Sequence, residues 1–455
     1  MQTALKAAAP PVDPASVATV RSNGVARRGG ALVAAFVLAA SASFVLAASA
    51  SFVLAASASF VLAASASAGA RPDAAKLRVA AVGTDAIVLR WDGPEARRWA
   101  IRHREAGGGW ARDRTRGRRA RLGGLARGTV HEAQVAPCRR RGCGPWSNIA
   151  RTATLLAPFN GPHPDPGCEA FPPGDGFNRD VSAAPLAADS EQIIDRIGAD
   201  GGDFLHPDFG SNPGYGIPFA VVPGDQPAVP VRFRAYGDES DAGPYPVPPG
   251  APVEGGRRSD GDRHVLILRR PREPGGSCHL FELYRARELG GARNAWAADS
   301  GAVFDLGAPL AGQRPGGWTS ADAAGLPIYP GLVTYEEVRS GVVDHAIRVT
   351  FERTRRGYVP PATHHASDSC HPHRPPMGLR LRLAASYDIS GLTGDARVIA
   401  TALKRYGLIV ADNGSNWYIT GSTDRRWDDQ DLNQLKAIPG DAFEVVAPGP
   451  ETSPC

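Results

Sequence analysis

A tandem apolar repeat near the N-terminus is the sequence feature that most constrains what this chain can fold into. An apolar run follows Arg27-Arg28 and carries the octad FVLAASAS four times in succession over residues 36–67. It ends in an Ala-x-Ala sequence at 66–68. A basic stretch, an apolar stretch and such an ending are the parts of a secretory signal. We therefore predict that residues 1–70 are an export segment and that the protein is secreted.

The length of the apolar run leaves two alternatives open. A usual signal has an apolar core of about 7–15 residues, whereas about 20 apolar residues can span a bilayer. The run is therefore either an expanded signal that is cleaved or an uncleaved membrane anchor. Because each octad holds two serines and three alanines, we favour cleavage between Ser67 and Arg71, with no stable membrane insertion afterwards.

All six cysteines follow the export segment. They are Cys138, Cys143, Cys168, Cys278, Cys370 and Cys455. An even number of cysteines in an oxidising compartment predicts disulfides. Cys138 and Cys143 are close enough in sequence to close a hairpin. The other four cysteines allow three pairings, and all three remain open.

The formal net charge of +5 raises the question of a nucleic-acid partner. The basic residues are nearly all arginine, since only four of the 51 are lysine, and they crowd between Arg97 and Arg141. A nucleic-acid domain usually combines a basic stripe with a recognisable motif. The sequence has no P-loop, zinc knuckle or RNA-binding signature, and we predict no nucleic-acid partner.

Residues 76–157 alternate between apolar and polar side chains, with turn residues at short intervals. This pattern predicts a small antiparallel sandwich. Three segments, IVLRW ending at Trp91, LGGLARGTVHEAQV at 122–135 and GPWSN at 144–148, resemble fibronectin type III domains. That family usually has tyrosine where this chain has His131, and we expect His131 to donate a similar hydrogen bond. The resemblance implies a spacer or a docking surface. The arginine-rich strands could bind a glycan or another partner, because the guanidinium suits carboxylate or phosphate, and the alternative is that these arginines are solvated surface residues.

The chain beyond this module is predicted to form one larger domain. Residues 158–175 are rich in proline and glycine, as linkers are, and the domain itself is expected over 176–448. Strands are expected at Ile217–Val222, Val229–Ala235, His264–Arg269, Cys278–Tyr284, Val303–Leu306, Ala346–Phe351 and Leu379–Ala385, and helices at Ser190–Ile197, Ala396–Tyr406 and Asp429–Lys436. The fold class is therefore mostly β: a fibronectin type III-like sandwich, then a β-rich α+β domain built as a sandwich or barrel-like sheet with peripheral helices.

Four stretches of the larger domain resemble an uncharacterised family of secreted bacterial and fungal proteins. They are HPDFGS (206–211), DESDAGPYPVPPGAPVEGG (238–256), GWTSADAAGLPIYPGL (317–332) and LKRYGLIVADNGSNWYITG (403–421). The resemblance covers almost the whole domain. It implies a secreted single domain and implies no particular activity.

The acidic loop from Asp238 to His264 is the first candidate for chemistry. Carboxylates on an irregular loop can act as general acid and base, or bind a hard cation. We favour Glu254 and Asp262 as a catalytic pair, because Glu254 precedes Gly255-Gly256 and Asp262 lies where the loop enters a strand. In an extended backbone Asp262 and His264 would share one face, so that His264 could tune the pKa of Asp262. The alternative is a solvated turn.

Two further segments could complete such a site. His345 and Arg348 lie on one strand-like stretch, and Asp322 could orient His345 as a catalytic base. Asn413, Asn416 and Trp417 combine amides with an aromatic ring, which is how proteins commonly bind a sugar. The alternative for this second segment is a β-turn before a core strand.

The segment HHASDSCHPH, residues 364–373, combines histidines with Cys370. Tracts of this kind can bind transition metals. Its spacing matches no zinc finger, and a disulfide at Cys370 would remove the thiolate. We predict no tightly held metal and no cofactor.

These observations lead to three hypotheses of function. The first is a secreted enzyme that acts on an extracellular polysaccharide, hydrolysing glycosidic bonds with paired carboxylates. The second is a non-catalytic adhesion or glycan-binding protein, and the third is a metal-dependent hydrolase. Carboxylates that converge in one cavity would favour the first hypothesis over the second.

Overall fold

The structure, a computed structural model, describes residues 74–159, 168–290, 294–452 and 455. The predicted export segment and much of the predicted linker lie outside the described residues. Among the described residues strands far outnumber helices, so the prediction of a mostly β chain is confirmed.

The N-terminal module consists of two antiparallel sheets. Its strands are β1 (Lys76–Val82), β2 (Ala86–Asp92), β3 (Arg98–Glu105), β4 (Ala111–Thr115), β5 (Arg119–Gly123), β6 (Val130–Arg139), β7 (Gly142–Cys143) and β8 (Ala150–Ala153). One sheet has the order β1-β2-β5, and the other β4-β3-β6-β7 with β8 paired to β6. This is the two-sheet arrangement expected of a fibronectin type III-like sandwich.

The core of the module follows from the period-two alternation in its strands. Leu77 and Val79 of β1 and Leu89 of β2 point inwards. The ring of Trp91 packs edge-on against that of Trp99, with ring centroids 5.7 Å apart. The alternation seen in the sequence therefore defines which faces of the two sheets meet.

His131 stands where fibronectin type III domains, which the module resembles, usually have tyrosine. It is buried, and its Nε2 lies 2.7 Å from the hydroxyl of Thr129. That hydroxyl donates to the backbone oxygen of Ala126 at 2.8 Å, so His131 donates to Thr129. The side chain of His131 thus joins the upstream backbone through Thr129.

The larger domain contains three sheets and four short helices within its described residues. Its strands are β9 (His206–Pro207), β10 (Phe219–Val222), β11 (Val231–Phe233), β12 (Val265–Arg269), β13 (His279–Tyr284), β14 (Arg287–Gly290), β15 (Ala295–Ala298), β16 (Ser300–Asp305), β17 (Ile347–Phe351), β18 (Arg380–Leu383), β19 (Leu408–Asn413), β20 (Tyr418–Ile419) and β21 (Phe443–Val445). Its helices are α1 (Ser190–Asp200), α2 (Tyr335–Ser340), α3 (Gly394–Arg405) and α4 (Asp429–Leu432).

The sheet with the order β10-β12-β13-β16 is covered on both faces. Leu266 and Leu268 of β12 belong to one hydrophobic core, while the alternate residues Val265 and Ile267 belong to another. A strand buried on both faces reads as a continuous apolar run, which is what the sequence VLILR shows. This sheet therefore separates the two cores of the domain.

A six-stranded sheet has the order β21-β18-β19-β17-β20-β9. Strands β17 and β19 are parallel within it, with Ile347 opposite Leu408. Helix α3 precedes β19 and buries Ile399 and Leu403. The carboxyl end of β19 carries polar side chains, and these face the candidate site.

Three disulfides are present, and they resolve the pairings that the sequence left open. Cys138–Cys143 closes the turn between β6 and β7, as expected. Cys168–Cys278 and Cys370–Cys455 link the remaining cysteines. Among the described residues, no helix is long and apolar enough to cross a membrane.

Candidate functional site

A polar cavity of about 300 Å³ lies in the larger domain, where loops meet the ends of three strands. Its wall is formed by Asp412 and Asn413 of β19, Tyr284 of β13, Ser300 of β16, and Tyr236, Asp262, Thr319, Ser320, Ala321, Asp322, Ala323, His364 and Ala366 from loops. The volume is at the lower end of the range of about 300–1,000 Å³ for ligand pockets. The cavity can therefore hold a small polar group.

Arg348 of β17 is a buried cation of this region. Its Nε and Nη2 donate to the two carboxylate oxygens of Asp322, at 3.0 and 2.8 Å. Nη2 also donates to Asp412 at 2.8 Å, and Nη1 donates to the hydroxyl of Thr420 at 3.0 Å. A bidentate pair is a strong and directional contact. Arg348 therefore fixes two of the carboxyl groups on the cavity wall.

Asp412 shares this single guanidinium with Asp322. Asp322 makes the bidentate contact and is fully buried, whereas the side chain of Asp412 is 22% exposed towards the cavity. Burial raises the pKa of Asp412 above its ordinary range; Arg348 opposes the rise, and the carboxylates of Asp322 and Asp262 add to it. Asp412 shares this guanidinium with a second carboxyl group, so burial favours the protonated form of Asp412. A neutral carboxyl on a cavity wall is a potential proton donor.

His264 lies beside this cluster and is held in its charged form. Its Nδ1 is 2.7 Å from a carboxylate oxygen of Glu254, and its Nε2 is 3.0 Å from the backbone oxygen of Ala321. Both partners are acceptors, so both ring nitrogens must donate. Burial lowers the pKa of His264, but the Glu254 carboxylate outweighs burial and raises the pKa to about 9. His264 thus anchors Ala321 in the cavity wall, and Glu254 serves as its counter-ion.

Asp262 reaches the cavity from an exposed loop that bends at the next residue. Arg263 has a φ of 54°, in the left-handed region that is uncommon for residues with a side chain. Its buried guanidinium donates to the backbone oxygen of Ser259 at 2.7 Å, which holds the bend. Strand β12 begins only at Val265. The expectation of an extended strand from Asp262 to His264, with both side chains on one face, is therefore wrong, although the Asp262 carboxylate still acts on His264 and adds to the rise of its pKa.

Two tyrosines add aromatic surface to the cavity. Burial raises the pKa of Tyr284 to about 12, and the carboxylate of Asp262 adds to the rise. The hydroxyl of Tyr284 therefore stays protonated and can donate to a ligand. Tyr236 is 45% exposed at the cavity. An apolar ring face next to convergent polar groups is typical of a binding site for a polar ligand.

His345 lies in a second cavity, of about 420 Å³, and not beside Asp322. Its Nε2 is 3.1 Å from a carboxylate oxygen of Glu337, and its Nδ1 is 2.9 Å from the backbone oxygen of Ala346. Glu337 also accepts from the backbone N–H of Thr334, which caps α2. The structure therefore pairs His345 with the start of a helix, while Asp322 pairs with Arg348.

The three residues predicted to bind a sugar have different surroundings. Asn413 lines the polar cavity. The amide of Asn416 donates to the backbone oxygens of Ile197 and Gly201 and is buried. Trp417 is 1% exposed and stacks on Phe443 with ring centroids 5.1 Å apart. Of the three, Asn413 alone is positioned to contact a ligand in the cavity.

The histidine tract contains no grouped metal ligands. Cys370 is bonded to Cys455, and the Nδ1 of His364 lies 2.7 Å from the backbone oxygen of Ala323. Over the part of the chain that the structure describes, no three His, Cys, Asp or Glu side chains are grouped so that they could hold a metal ion.

Sequence patterns alone identify neither the role of Arg348 nor that of Asp412. Arg348 lies among apolar residues of a core strand, where its partners Asp322 and Asp412 come from segments 26 and 64 residues away. Asp412 belongs to the ADNG segment, which resembles a turn. The sequence offered one signal for Asp412: a carboxylate at the end of a buried apolar strand, in LIVAD (408–412).

Comparison with known proteins finds similarity to fibronectin type III domains. No protein-family model and no curated protein matches the chain. The FN5 domain of Drosophila Lar is 21% identical, with 18% of this chain and 96% of that domain covered and a TM-score of 0.17. Titin domains A168–A170 are 20% identical, with 18% and 32% covered and a TM-score of 0.18. A myokine structure is 21% identical, with 18% and 97% covered and a TM-score of 0.18.

Each of these similarities covers only 18% of this chain. A match over 18% of this chain corresponds to a segment of the size of the N-terminal module. In the titin structure, the matched segment spans 32% of that chain. A segment of that size is too short to cover the domain that contains the polar cavity.

Proposed function

We propose that the larger domain is a secreted hydrolase of extracellular polysaccharide, with Asp412 as the general acid and Asp262 as the second carboxylate. One observation carries the proposal: two carboxyl groups in contrasting surroundings line the same cavity. Asp412 is mostly buried and its pKa is raised, while Asp262 lies on an exposed loop. Two carboxyl groups whose surroundings separate their protonation states are the usual basis of an acid and base assignment.

The proposed reaction uses the two groups in sequence. Asp412 donates its proton to the glycosidic oxygen while the bond between that oxygen and the sugar carbon breaks. The resulting Asp412 carboxylate is stabilised by Arg348, whose Nη2 is 2.8 Å away. Asp262 either removes a proton from an attacking water molecule or attacks the sugar carbon itself, and the distance between the two carboxyl groups in the bound state decides between these routes.

Glu254 is not part of this proposed pair. It was the favoured partner of Asp262 from the sequence, but its carboxylate oxygen accepts from both the ring and the backbone N–H of His264. We therefore assign Glu254 and His264 to positioning the cavity wall at Ala321.

The substrate class rests on the chemistry of the cavity and on the compartment. Hydroxyl, amide and carboxyl groups line the cavity together with Tyr236 and Tyr284, which suits a ligand rich in hydroxyl groups. The three disulfides fit an oxidising compartment. An extracellular polysaccharide meets both conditions.

The test is hydrolysis of a panel of neutral and acidic polysaccharides by the secreted protein and by Asp412→Asn and Asp262→Asn. Removal of a true acid or base should lower the rate by about 10²–10⁴-fold. Asp260→Asn is the matched control, because Asp260 is an exposed carboxylate of the same loop that does not line the cavity. Full activity in both test variants, or a folded wild-type protein that hydrolyses nothing on the panel, would refute the proposal.

A further inference from the structure

The N-terminal module has an open cleft of about 810 Å³, whose composition differs from that of the polar cavity. We call it the arginine cleft, because its wall contains Arg97, Arg98, Arg118, Arg139 and Arg140, together with Glu95, Ala96 and Cys138. All five arginines are exposed. Five cations against one carboxylate give this surface a strong positive potential.

The backbone holds these arginines in one place. Arg98 of β3 lies directly opposite Cys138 of β6. The Cys138–Cys143 disulfide closes the turn that carries Arg139 and Arg140. Arg97-Arg98 and Arg139-Arg140 are therefore attached to the same end of the paired strands β3 and β6. The disulfide limits how far the turn that carries Arg139 and Arg140 can move.

Most of the positive charge of the cleft is unpaired within the described part of the chain. Among the described residues, no carboxylate pairs with Arg97, Arg98, Arg139 or Arg140. Over residues 76–157 the chain has 18 basic and 6 acidic side chains, a formal charge of +12, although the whole chain carries only +5. The excess positive charge of the protein is thus concentrated on this module and left available to a ligand.

We infer that the arginine cleft binds an acidic extracellular polysaccharide through its carboxylate or sulfate groups. The planar guanidinium matches such groups with two parallel hydrogen bonds. Several arginines side by side suit a polymer that repeats its acidic group, and the cleft volume lies within the usual range for ligand pockets. The inference does not depend on catalysis by the larger domain.

The aromatic residues near these strands favour polysaccharide over single-stranded nucleic acid. Nucleic-acid bases are bound by stacking on free aromatic faces. The ring of Trp110 is covered by the guanidinium groups of Arg102 and Arg104, at 4.5 and 4.4 Å from its centroid. Arg102 also lies 4.5 Å from the centroid of Trp146. These ring faces are already occupied by cations.

The test compares two variants of the secreted protein that lose the same charge. The first replaces Arg97, Arg98, Arg139 and Arg140 by glutamine. The second, the control, replaces four exposed arginines of the same module that do not line the cleft: Arg112, Arg114, Arg127 and Arg151. Binding is measured by calorimetry with heparin for sulfate groups, polygalacturonate for carboxylate groups, dextran as the neutral polymer, and duplex and single-stranded DNA.

The expected result is binding of heparin or polygalacturonate but not of dextran. Each exposed charge pair contributes modestly, so the loss of four together should raise Kd about tenfold or more in the cleft variant, and about twofold or less in the control. Thermal unfolding checks that both variants remain folded. Equal losses in the two variants, no binding of either acidic polysaccharide, or tighter binding of DNA would overturn the inference.

Discussion

Arg348 in the larger domain and Arg139 in the module have the same side chain, but the first is buried and the second is exposed. Arg348 is buried, and Asp322, Asp412 and Thr420 accept its hydrogen bonds. Arg139 is exposed beside Arg97, Arg98 and Arg140, and within the described residues no carboxylate pairs with these arginines. A buried charge must be paired because burial removes its hydration. An exposed charge keeps its hydration and remains free to bind an external anion.

Arginine content alone therefore does not indicate the role of a region. In the larger domain the arginines organise the interior, where Arg263 and Arg314 also donate to backbone oxygens. In the module they give the surface its charge. The following substitutions test whether this division holds.

Arg348→Met should give the largest loss of stability. It leaves Asp322 buried without its cation, and breaking a buried pair by removing one partner costs about 3–5 kcal/mol. Arg114→Met, at an exposed position of the module, should change the free energy of unfolding by about 0.5 kcal/mol or less. Urea unfolding of both variants measures the difference. Similar losses in the free energy of unfolding for the two variants would contradict the distinction between buried and exposed arginines.

The charged pair of His264 and Glu254 should make stability depend on pH. The pKa of His264 in the folded protein is about 9, above the value of about 6.5 for an unfolded histidine. The stabilisation is therefore complete below about pH 6.5 and is lost as the pH rises through about 9, by about 3 kcal/mol.

Urea unfolding between pH 6 and pH 10 measures this loss. His264→Gln should be less stable than the wild type at pH 6 and should lack this alkaline decline. His103→Gln, at a more exposed histidine of the module, should keep the decline. A wild-type stability that stays level from pH 6 to pH 10 would contradict the assignment of His264 as a buried imidazolium.

Loss of the Cys138–Cys143 disulfide should have the smallest effect of the three. Its cysteines are only 5 residues apart, and a short loop restricts the unfolded chain little, so replacing both by serine should cost about 2 kcal/mol. Replacing Cys168 and Cys278, which are 110 residues apart, should cost more. Thermal unfolding of the two double variants compares them. Equal losses would contradict the account based on loop length.

Much of the fold could be predicted from local sequence patterns. The apolar alternation of the module and the runs at β10, β12 and β13 indicate strands, because their side chains face cores at a regular period. The predicted strands and helices of the larger domain all correspond to elements of the structure. The prediction missed strands β9, β14, β15, β19, β20 and β21 and helix α2. Of these, β9 and β20 have only two residues, and such short segments carry no period.

The candidate site could be predicted only in part. Asp262, Asp322 and Asn413 line one cavity. The bend between Asp262 and His264 depends on the left-handed backbone of Arg263, which no period reveals. The pairing of Arg348 with two distant carboxylates depends on the order of strands in a mixed sheet, and sequence spacing does not determine that order.

The central claim is that Asp412 holds a proton in the polar cavity, and a titration tests it most directly. Carbon NMR of the secreted protein with labelled aspartate carboxyls would follow each group with pH, and the resonance absent from Asp412→Asn identifies Asp412. The account predicts a midpoint well above the value of about 3.9 for an ordinary aspartate. A midpoint at or below about 3.9 would contradict it.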